Sequence, residues 1–204
     1  MCLLKGAGVN LKYYTYQKYP ENDKVHFLYL GRIMKEKGMD ELFYAAKELQ
    51  RKEVPFVLDL VGFFEDEYKE KIDKLVDAKI AVFHGFQEDP RPYYAMADCV
   101  VLPSYHEGMS NVLLEAAATG RPVITSNIPG CKEAVDDGKS GLLCEAEDWN
   151  DLYRKMSKIA QMSRIEREAM GVCGRDKMAQ EFDKDKVVTV SYTHLRAHET
   201  SAHL

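Results

Sequence analysis

Short apolar runs alternate with longer amphipathic segments along the chain, from Val25 to about Val123. The short runs are rich in β-branched and aromatic residues, which favours strands, whereas the longer segments show apolar residues at helical spacing. The predicted strands cover residues 25–30, 54–61, 80–83, 98–102, 122–125 and 141–144. The predicted helices cover residues 39–49, 65–76, 92–97, 111–119, 132–136, 149–161 and 164–182.

This regular alternation predicts the fold class α/β, with a Rossmann-like parallel sheet and helices on both of its faces. Ligands of such sheets bind beyond the carboxyl ends of the strands, in the loops that lead into helices. We therefore expect functional residues in the loops that follow Leu30, Val61, Phe83, Leu102 and Thr125. The last two helices are predicted to pack against the end of the sheet.

The length of 204 residues suits one domain with additional terminal segments. We assign residues 25–185 to the sheet domain and residues 1–24 to a segment that contains a glycine-rich hinge. Residues 186–204 are predicted to be a disordered tail that does not look native, because the strand and helix pattern stops there.

The chain is 46% hydrophobic and 30% charged with a net charge of −5, which is typical of a globular domain with a substantial core. It is not expected to bind nucleic acid, because binding to a phosphate backbone needs a basic surface. No apolar run approaches the roughly 20 residues that span a bilayer. The five cysteines form no C-x-x-C pair, so we expect reduced thiols and a cytoplasmic location.

The first candidate for chemistry is the loop after the first predicted strand. Gly31 allows a sharp turn at the strand end, and Arg32 and Lys37 follow it before the helix begins. Two cations beside a helix amino terminus suit a diphosphate. A solvated charged turn would show the same pattern.

The second candidate is the loop after the fourth predicted strand, which contains Glu107 and Gly108. Ser110 is a plausible N-cap for the helix that follows. We expect the amides from Gly108 through Met109 and Ser110 to Asn111 to be free and to favour an anion or a polar sugar edge. Glu107 lies in the same loop, where an exposed acid without a ligand is equally compatible with its position.

Glu115 is surrounded by apolar residues on every side of that helix, so we expect the helix to be buried. A buried carboxylate is costly unless something satisfies it. Glu115 lies about 7.5 Å along the axis from Ser110 at roughly 1.5 Å per residue, where a ribose could place two vicinal hydroxyls on it. A buried salt bridge to Arg or Lys would explain the residue equally well.

Two aromatic segments follow the third and second predicted strands. Phe86 comes after Gly85, and Phe63 and Phe64 come after Gly62. Either segment could form a wall for a nucleobase, and core packing is the alternative. The segment Gly6-Ala7-Gly8-Val9 does not have the G-x-G-x-x-G spacing of dinucleotide sites, and a hinge is the better interpretation.

Four segments, in this order, resemble motifs of glycosyltransferase family 4, the glycosyl transferases group 1. Gly6 to Asn10 resembles the G-x-G-V-D hinge, with Asn10 in place of Asp, and Gly31-Arg32 with Lys37-Gly38 resembles the diphosphate-binding element. Glu107 to Glu115 is similar to the E-x7-E motif, and Gly138 to Leu143 resembles the N-G-x-L-V loop. The Glu-Gly-Met-Ser-Asn version of the third motif looks like that of bacterial capsule and O-antigen enzymes that use UDP-sugars.

The resemblance implies the C-terminal, donor-binding domain of a GT-B fold, in which two Rossmann-like domains face a cleft. Arg32 and Lys37 would neutralise the diphosphate of the donor, and Glu115 would hold its ribose. Glu107 and the amides of Gly108, Met109 and Ser110 would hold the donor sugar and its phosphate, with Phe86 near the base. Transfer would retain the anomeric configuration and need no metal or other cofactor.

The partners implied are a nucleotide-diphosphate sugar, with UDP favoured, and a glycan or lipid-linked acceptor. Family members carry an acceptor domain before the hinge, of which residues 1–24 would be only a remnant, so we expect little transfer by this chain alone. Peripheral association of a full-length protein with the inner face of the plasma membrane is also implied. The alternatives are a nucleotide-sugar 2-epimerase and a non-catalytic nucleotide-binding module.

Overall fold

The structure, a computed structural model, describes residues 8–186. Gly6, Ala7 and the predicted tail after residue 186 therefore lie outside the described residues. The strands are β1 (Val25–Leu30), β2 (Phe56–Val61), β3 (Ala81–Gly85), β4 (Cys99–Leu102), β5 (Val123–Ser126) and β6 (Gly141–Cys144). The α-helices are α1 (Met39–Arg51), α2 (Lys69–Asp77), α3 (Arg91–Met96), α4 (Asn111–Ala118), α5 (Trp149–Gln161) and α6 (Arg164–Lys177). Single turns of 3-10 or π helix lie at Lys35–Lys37, Asp66–Tyr68, Lys132–Ala134 and Met178–Phe182.

These strands form one parallel sheet in the order β3-β2-β1-β4-β5-β6. This is the order of a Rossmann-like doubly wound sheet, so the predicted fold class is confirmed. From β1 the chain crosses to β2, and from β4 it crosses to β5 in the opposite direction. Right-handed crossovers in opposite directions place α1 and α4 on opposite faces of the sheet.

Helices on both faces explain the apolar strands, since β4 and β5 are buried along their whole length. Helix α5 packs on α1 and helix α6 packs on α4, and both also contact the edge strand β6. The last two helices therefore meet the end of the sheet, as predicted, and complete the two outer layers.

Several predicted boundaries differ from the structure: α2 begins at Lys69 rather than at residue 65, and α6 ends at Lys177 before a π turn. Two further differences have reasons that lie in the backbone. Strand β2 begins at Phe56 rather than at residue 54. Pro55 has no amide hydrogen and contributes only its carbonyl, which accepts from the amide of Val25 at 3.3 Å. The helix predicted at residues 132–136 is only the 3-10 turn Lys132–Ala134, because Val135 is already extended and the Asp136 amide donates to Ser140 Oγ.

The loops after β1, β4 and β5 touch one another through glycines that no other residue could replace without movement. Gly38 has φ +69°, and a Cβ built on it would lie 2.0 Å from the carbonyl oxygen of Pro103. Gly130 has φ +88°, and its Cβ would lie 1.5 Å from the carbonyl oxygen of Gly108. The backbone of the β4 loop is thus held between its two neighbours.

Two arginines fasten the segment that precedes β1 to the rest of the domain. The Arg121 side chain is fully buried and donates only to backbone carbonyls. Those carbonyls belong to Gln17, Lys18, Tyr94, Ala95 and Gly120. Arg175 donates to the carbonyls of Tyr14 and Ala118 at 2.8 and 2.7 Å.

A buried carboxylate on β2 joins three strands. Asp59 is 2% exposed and accepts from His26 Nδ1 on β1 at 2.7 Å and from His84 Nε2 on β3 at 2.8 Å. The hydrogen bond to Asp59 raises the pKa of His26, against the opposing effect of burial. Both histidines therefore have structural partners.

The raised pKa of His26 predicts a pH-dependent contribution to stability. The contribution is fully present below the ordinary histidine pKa of about 6.5 and is lost as the pH rises through the raised value. We expect His26→Gln to lower the free energy of unfolding more at about pH 5.5 than at about pH 8.5 in urea titrations. In an Asp59→Asn background the loss of unfolding free energy caused by His26→Gln should no longer depend on pH. An equal loss at both pH values in the protein that retains Asp59 would contradict the argument.

The contact between the β1 and β4 loops predicts unequal costs for two glycine substitutions. Gly38→Ala combines a left-handed backbone with a steric overlap on Pro103, whereas Gly138, at φ +77°, has nothing within 4 Å of a built Cβ. We expect Gly138→Ala to cost about 1 kcal/mol in unfolding free energy and Gly38→Ala at least about twice that. Thermal and urea denaturation would measure both, and equal costs would show that the overlap relaxes freely.

Candidate active site

The strand order creates a crevice at the carboxyl edge of the sheet, between β1 and β4. The chain leaves these neighbouring strands in opposite directions, so the loops after them diverge from a common point. The loop after β1 carries Gly31, Arg32 and Lys37, and the loop after β4 carries Glu107 to Ser110. Two of the predicted site segments are therefore neighbours in space.

An ion pair closes this crevice. Lys37 Nζ lies 2.7 Å from Glu107 Oε1, and both side chains are largely buried, at 27% and 16% exposure. Ser104 Oγ donates to the same oxygen at 2.9 Å. The structure therefore brings together a predicted phosphate ligand and a predicted sugar ligand, and pairs them with each other.

Further bonds hold the two loops in register. The amide of Tyr105 donates to the carbonyl of Glu36 at 2.9 Å, and the Tyr105 hydroxyl donates to Glu41 on α1 at 2.7 Å. A pair of partly buried charges gains most from its mutual attraction when the surrounding backbone fixes both side chains. The two hydrogen bonds of Tyr105 join the loops that carry Lys37 and Glu107.

Arg32 takes a different direction from Lys37. Its side chain is exposed, and its guanidinium carbon lies 5.5 Å from the ring centroid of Phe63, just after β2. The Tyr29 hydroxyl donates to the Arg32 carbonyl at 2.6 Å and fixes the backbone there. Arg32 thus leans toward the β2 loop, whereas Lys37 leans toward the β4 loop, so the structure does not bring the two cations together.

Helix α4 begins at Asn111, as predicted, with Ser110 in the N-cap position. The Ser110 side chain makes no capping hydrogen bond. The expectation of a free amide is wrong for Ser110, because its amide donates to the carbonyl of Gly130 at 3.1 Å. Within the described residues the amides of Gly108, Met109 and Asn111 have no protein partner, which leaves donors at the helix start.

Glu115 is partly buried and makes no ion pair within residues 8–186. Its Oε2 accepts from the hydroxyl of Tyr94 on α3 at 2.9 Å. Tyr14 lines the same cleft as Glu115, and its hydroxyl also acts on this carboxylate. Burial raises the pKa of Glu115, and the two tyrosine hydroxyls oppose that rise. The salt bridge considered for this residue is thus replaced by two neutral donors.

Glu115 lines a cleft of about 240 Å³ together with Asn111, which is one helical turn earlier. The opposite wall includes the hinge residues Val9 and Asn10. Asn10 Oδ1 accepts from the amides of Lys12 and Tyr13 at 3.0 and 3.1 Å, a role that the carboxylate of an Asp would fill equally. The replacement of Asp by Asn in the hinge therefore preserves the turn.

The aromatic residues at the sheet edge divide into two groups. Phe64 packs on Phe83 with ring centroids 5.4 Å apart and belongs to the core. Phe86 and Phe63 are 66% and 51% exposed, and their centroids are 6.5 Å apart. Phe86 is therefore not a core residue, Phe63 lies between it and Arg32, and a role beside a nucleobase stays a prediction.

Sequence reasoning missed Tyr14 and Tyr94 as partners of Glu115. Tyr94 lies in the short predicted helix and Tyr14 in the segment before β1, and no local spacing links either of them to α4. No group of three His, Cys, Asp or Glu side chains that could hold a metal ion occurs among the described residues. In the same part of the chain, none of the helices has the length and apolar character needed to cross a membrane.

The chain is similar to a capsular polysaccharide biosynthesis glycosyltransferase, CapM of Staphylococcus aureus. The two are 31% identical over 166 residues, which cover 79% of this chain and 43% of CapM. A similar match, 29% over 174 residues, is to the lipopolysaccharide core biosynthesis glycosyltransferase LpsE of Rhizobium meliloti, of which 48% is covered. The chain thus spans less than half the length of either relative.

Solved structures show the same fold. Sucrose-phosphate synthase from Thermosynechococcus elongatus superposes with a TM-score of 0.80 at 26% identity, over 95% of this chain and 52% of that one. The strand order and layers described above are thus those of one Rossmann-like domain of a GT-B glycosyltransferase. The family model described as "Glycosyl transferases group 1" matches residues 24–162, and the chain therefore belongs to that glycosyltransferase family.

Proposed function

We propose that this chain is the donor-binding domain of a retaining hexosyltransferase of glycosyltransferase family 4. It binds a nucleotide-diphosphate sugar, with UDP as the nucleotide, for transfer to a glycan or lipid-linked acceptor in polysaccharide biosynthesis. The observation that carries the proposal is the Lys37–Glu107 pair beside the start of α4, with Glu115 one turn further along a cleft.

The diphosphate is assigned to the start of α4. The amides of Gly108, Met109 and Asn111 and the dipole of the helix favour an anion at this point. Lys37 exchanges Glu107 for a phosphate oxygen and neutralises charge as the bond between the sugar and the diphosphate breaks. Arg32, anchored on Phe63, approaches the diphosphate from the β2 side.

The sugar and the nucleoside occupy the two sides of this point. Glu107, once released from Lys37, accepts hydrogen bonds from hydroxyls of the donor sugar. Glu115 accepts from the two ribose hydroxyls, and the base lies beside Phe86. Fixed cations and a helix terminus supply the charge stabilisation, so the proposed reaction needs no metal.

Comparison with HepE from Anabaena supports the choice of UDP. That structure, a complex with UDP, superposes with a TM-score of 0.78 at 18% identity, over 93% of this chain and 56% of HepE. Because CapM and LpsE act in capsule and lipopolysaccharide synthesis, we assign the acceptor to surface polysaccharide assembly. The acceptor-side groups belong to the part of such proteins that this chain does not cover, so the chain alone binds donor but transfers little. We place the activity in the cytoplasm, at the inner face of the membrane.

The proposal predicts that Lys37 contributes to nucleotide affinity through the diphosphate. Lys37→Met should weaken UDP binding about tenfold or more, as expected for loss of a charge-assisted hydrogen bond, and should leave uridine binding unchanged. Isothermal titration with UDP, GDP and ADP would measure this, with UDP expected to bind most tightly.

Lys35→Met is the matched control, because Lys35 is an exposed cation in the same turn. Its effect on UDP affinity should stay within about twofold. Affinity should also be equal in EDTA and in Mg²⁺. Folded protein that gives no heat with any of the three nucleotides would contradict the proposal.

A further inference from the structure

The carboxylate of Glu115 is held by an arrangement that extends well beyond α4. Its neighbours on the helix are apolar, and among the described residues the Tyr94 hydroxyl donates to it while Tyr14 lies in the same cleft, edge to face with Tyr94. Tyr94 is completely buried, so its hydroxyl has a fixed position 2.9 Å from Glu115 Oε2. A carboxylate held by fixed donors loses little side-chain entropy when it binds a ligand.

Each tyrosine is in turn fixed through its own backbone carbonyl. Arg121 Nε donates to the carbonyl of Tyr94 at 2.8 Å, and Arg175 donates to the carbonyl of Tyr14 at 2.8 Å. The two tyrosine rings also meet edge to face, with centroids 6.2 Å apart. Two hydroxyls from separate segments are thereby directed at one carboxylate.

We propose that Tyr94 and Tyr14 are positioning residues that hold Glu115 in the rotamer and charge state needed to accept both ribose hydroxyls of the nucleotide. This inference depends on the proposed function, since it assigns the ribose to Glu115. Tyr94 is fully buried and acts only through Glu115, whereas Tyr14 also lines the cleft. Both tyrosines act by bonding to the charged form of the carboxylate, which burial alone would disfavour.

The same contacts set the pH range in which Glu115 works. Burial raises the pKa of Glu115, and the hydroxyls of Tyr94 and Tyr14 work in the opposite direction. Within the described residues these two tyrosines, on α3 and on the segment before β1, act on this carboxylate, and the cation Lys184 lines the same cleft. Removing either hydroxyl raises the pKa of Glu115 further, so the carboxylate becomes protonated at a higher pH.

The experiment compares UDP with 2′,3′-dideoxy-UDP, which lacks both ribose hydroxyls, by isothermal titration over a range of pH. Wild-type protein should prefer UDP, and Glu115→Gln should remove most of that preference. Tyr94→Phe and Tyr14→Phe should each reduce the preference about tenfold while leaving affinity for the dideoxy nucleotide unchanged. As the pH is lowered, the preference for UDP over the dideoxy nucleotide should also disappear at a higher pH in both variants than in the wild type.

Tyr93→Phe and Tyr13→Phe are the matched controls, since each removes a hydroxyl from the adjacent residue and leaves the preference unchanged. Should Tyr94→Phe not fold, Tyr14→Phe, which lies nearer the surface, still tests the inference. If the tyrosine variants lost affinity equally for both nucleotides and kept the preference and its pH profile, the tyrosines would have a merely structural role, which would overturn the inference. Loss of the preference in Glu115→Gln but in neither tyrosine variant would also overturn it and leave the proposed function standing. Folded wild-type protein that binds neither nucleotide would instead overturn the proposed function.

Discussion

The contact between the β1 and β4 loops at the edge of the sheet is the constraint on which the site depends. Strands β1 and β4 are neighbours, but the chain leaves them in opposite directions, and the loops that follow them meet where residues 36–38 contact residues 103–107. Gly38 lets the backbone of one loop lie against Pro103 of the other, and the Lys37–Glu107 pair spans the same junction. A side chain at Gly38 would push the two loops apart, and Lys37 would then move away from Glu107.

Three acidic residues show how differently this domain satisfies a buried or partly buried carboxylate. Asp59 is bonded to two histidines within the sheet, and Glu107 is paired with a lysine in the crevice. Among residues 8–186 the donor to Glu115 is the Tyr94 hydroxyl, although Glu115 is the acid that the helix surrounds with apolar residues. A neutral donor supports a carboxylate without neutralising it, which leaves the charge available to a ligand.

The fold followed from the sequence because both faces of the sheet are covered. Fully buried strands are read as apolar runs, and α1 buries Met39, Leu42, Phe43, Ala46 and Leu49, the positions that helical spacing selects. The predicted loops also contain Lys37, Glu107 and Phe86 at the sheet edge where we expected them. Local pattern was sufficient wherever the determining contacts were local or imposed by the topology.

Contacts between distant parts of the chain were not readable in this way. Lys37 and Glu107 are 70 residues apart, and nothing in either loop indicates that they bond to each other. The hydrogen bond from the Ser110 amide to Gly130 and the contact of Arg32 with Phe63 also join residues that are distant in sequence, so local pattern could not predict them. The partners of Glu115 were missed because a tyrosine beside a buried acid has no characteristic spacing.

The Lys37–Glu107 pair also has a consequence for how fast an anion arrives. Paired opposite charges produce a field that falls off much faster with distance than that of a lone lysine, and the chain as a whole carries a net charge of −5. Long-range attraction therefore contributes little to encounter, and added salt should not slow association, because it screens the repulsion between the anion and the net negative charge. Recognition of the donor then depends on a short-range step after contact, in which Lys37 exchanges Glu107 for a phosphate oxygen.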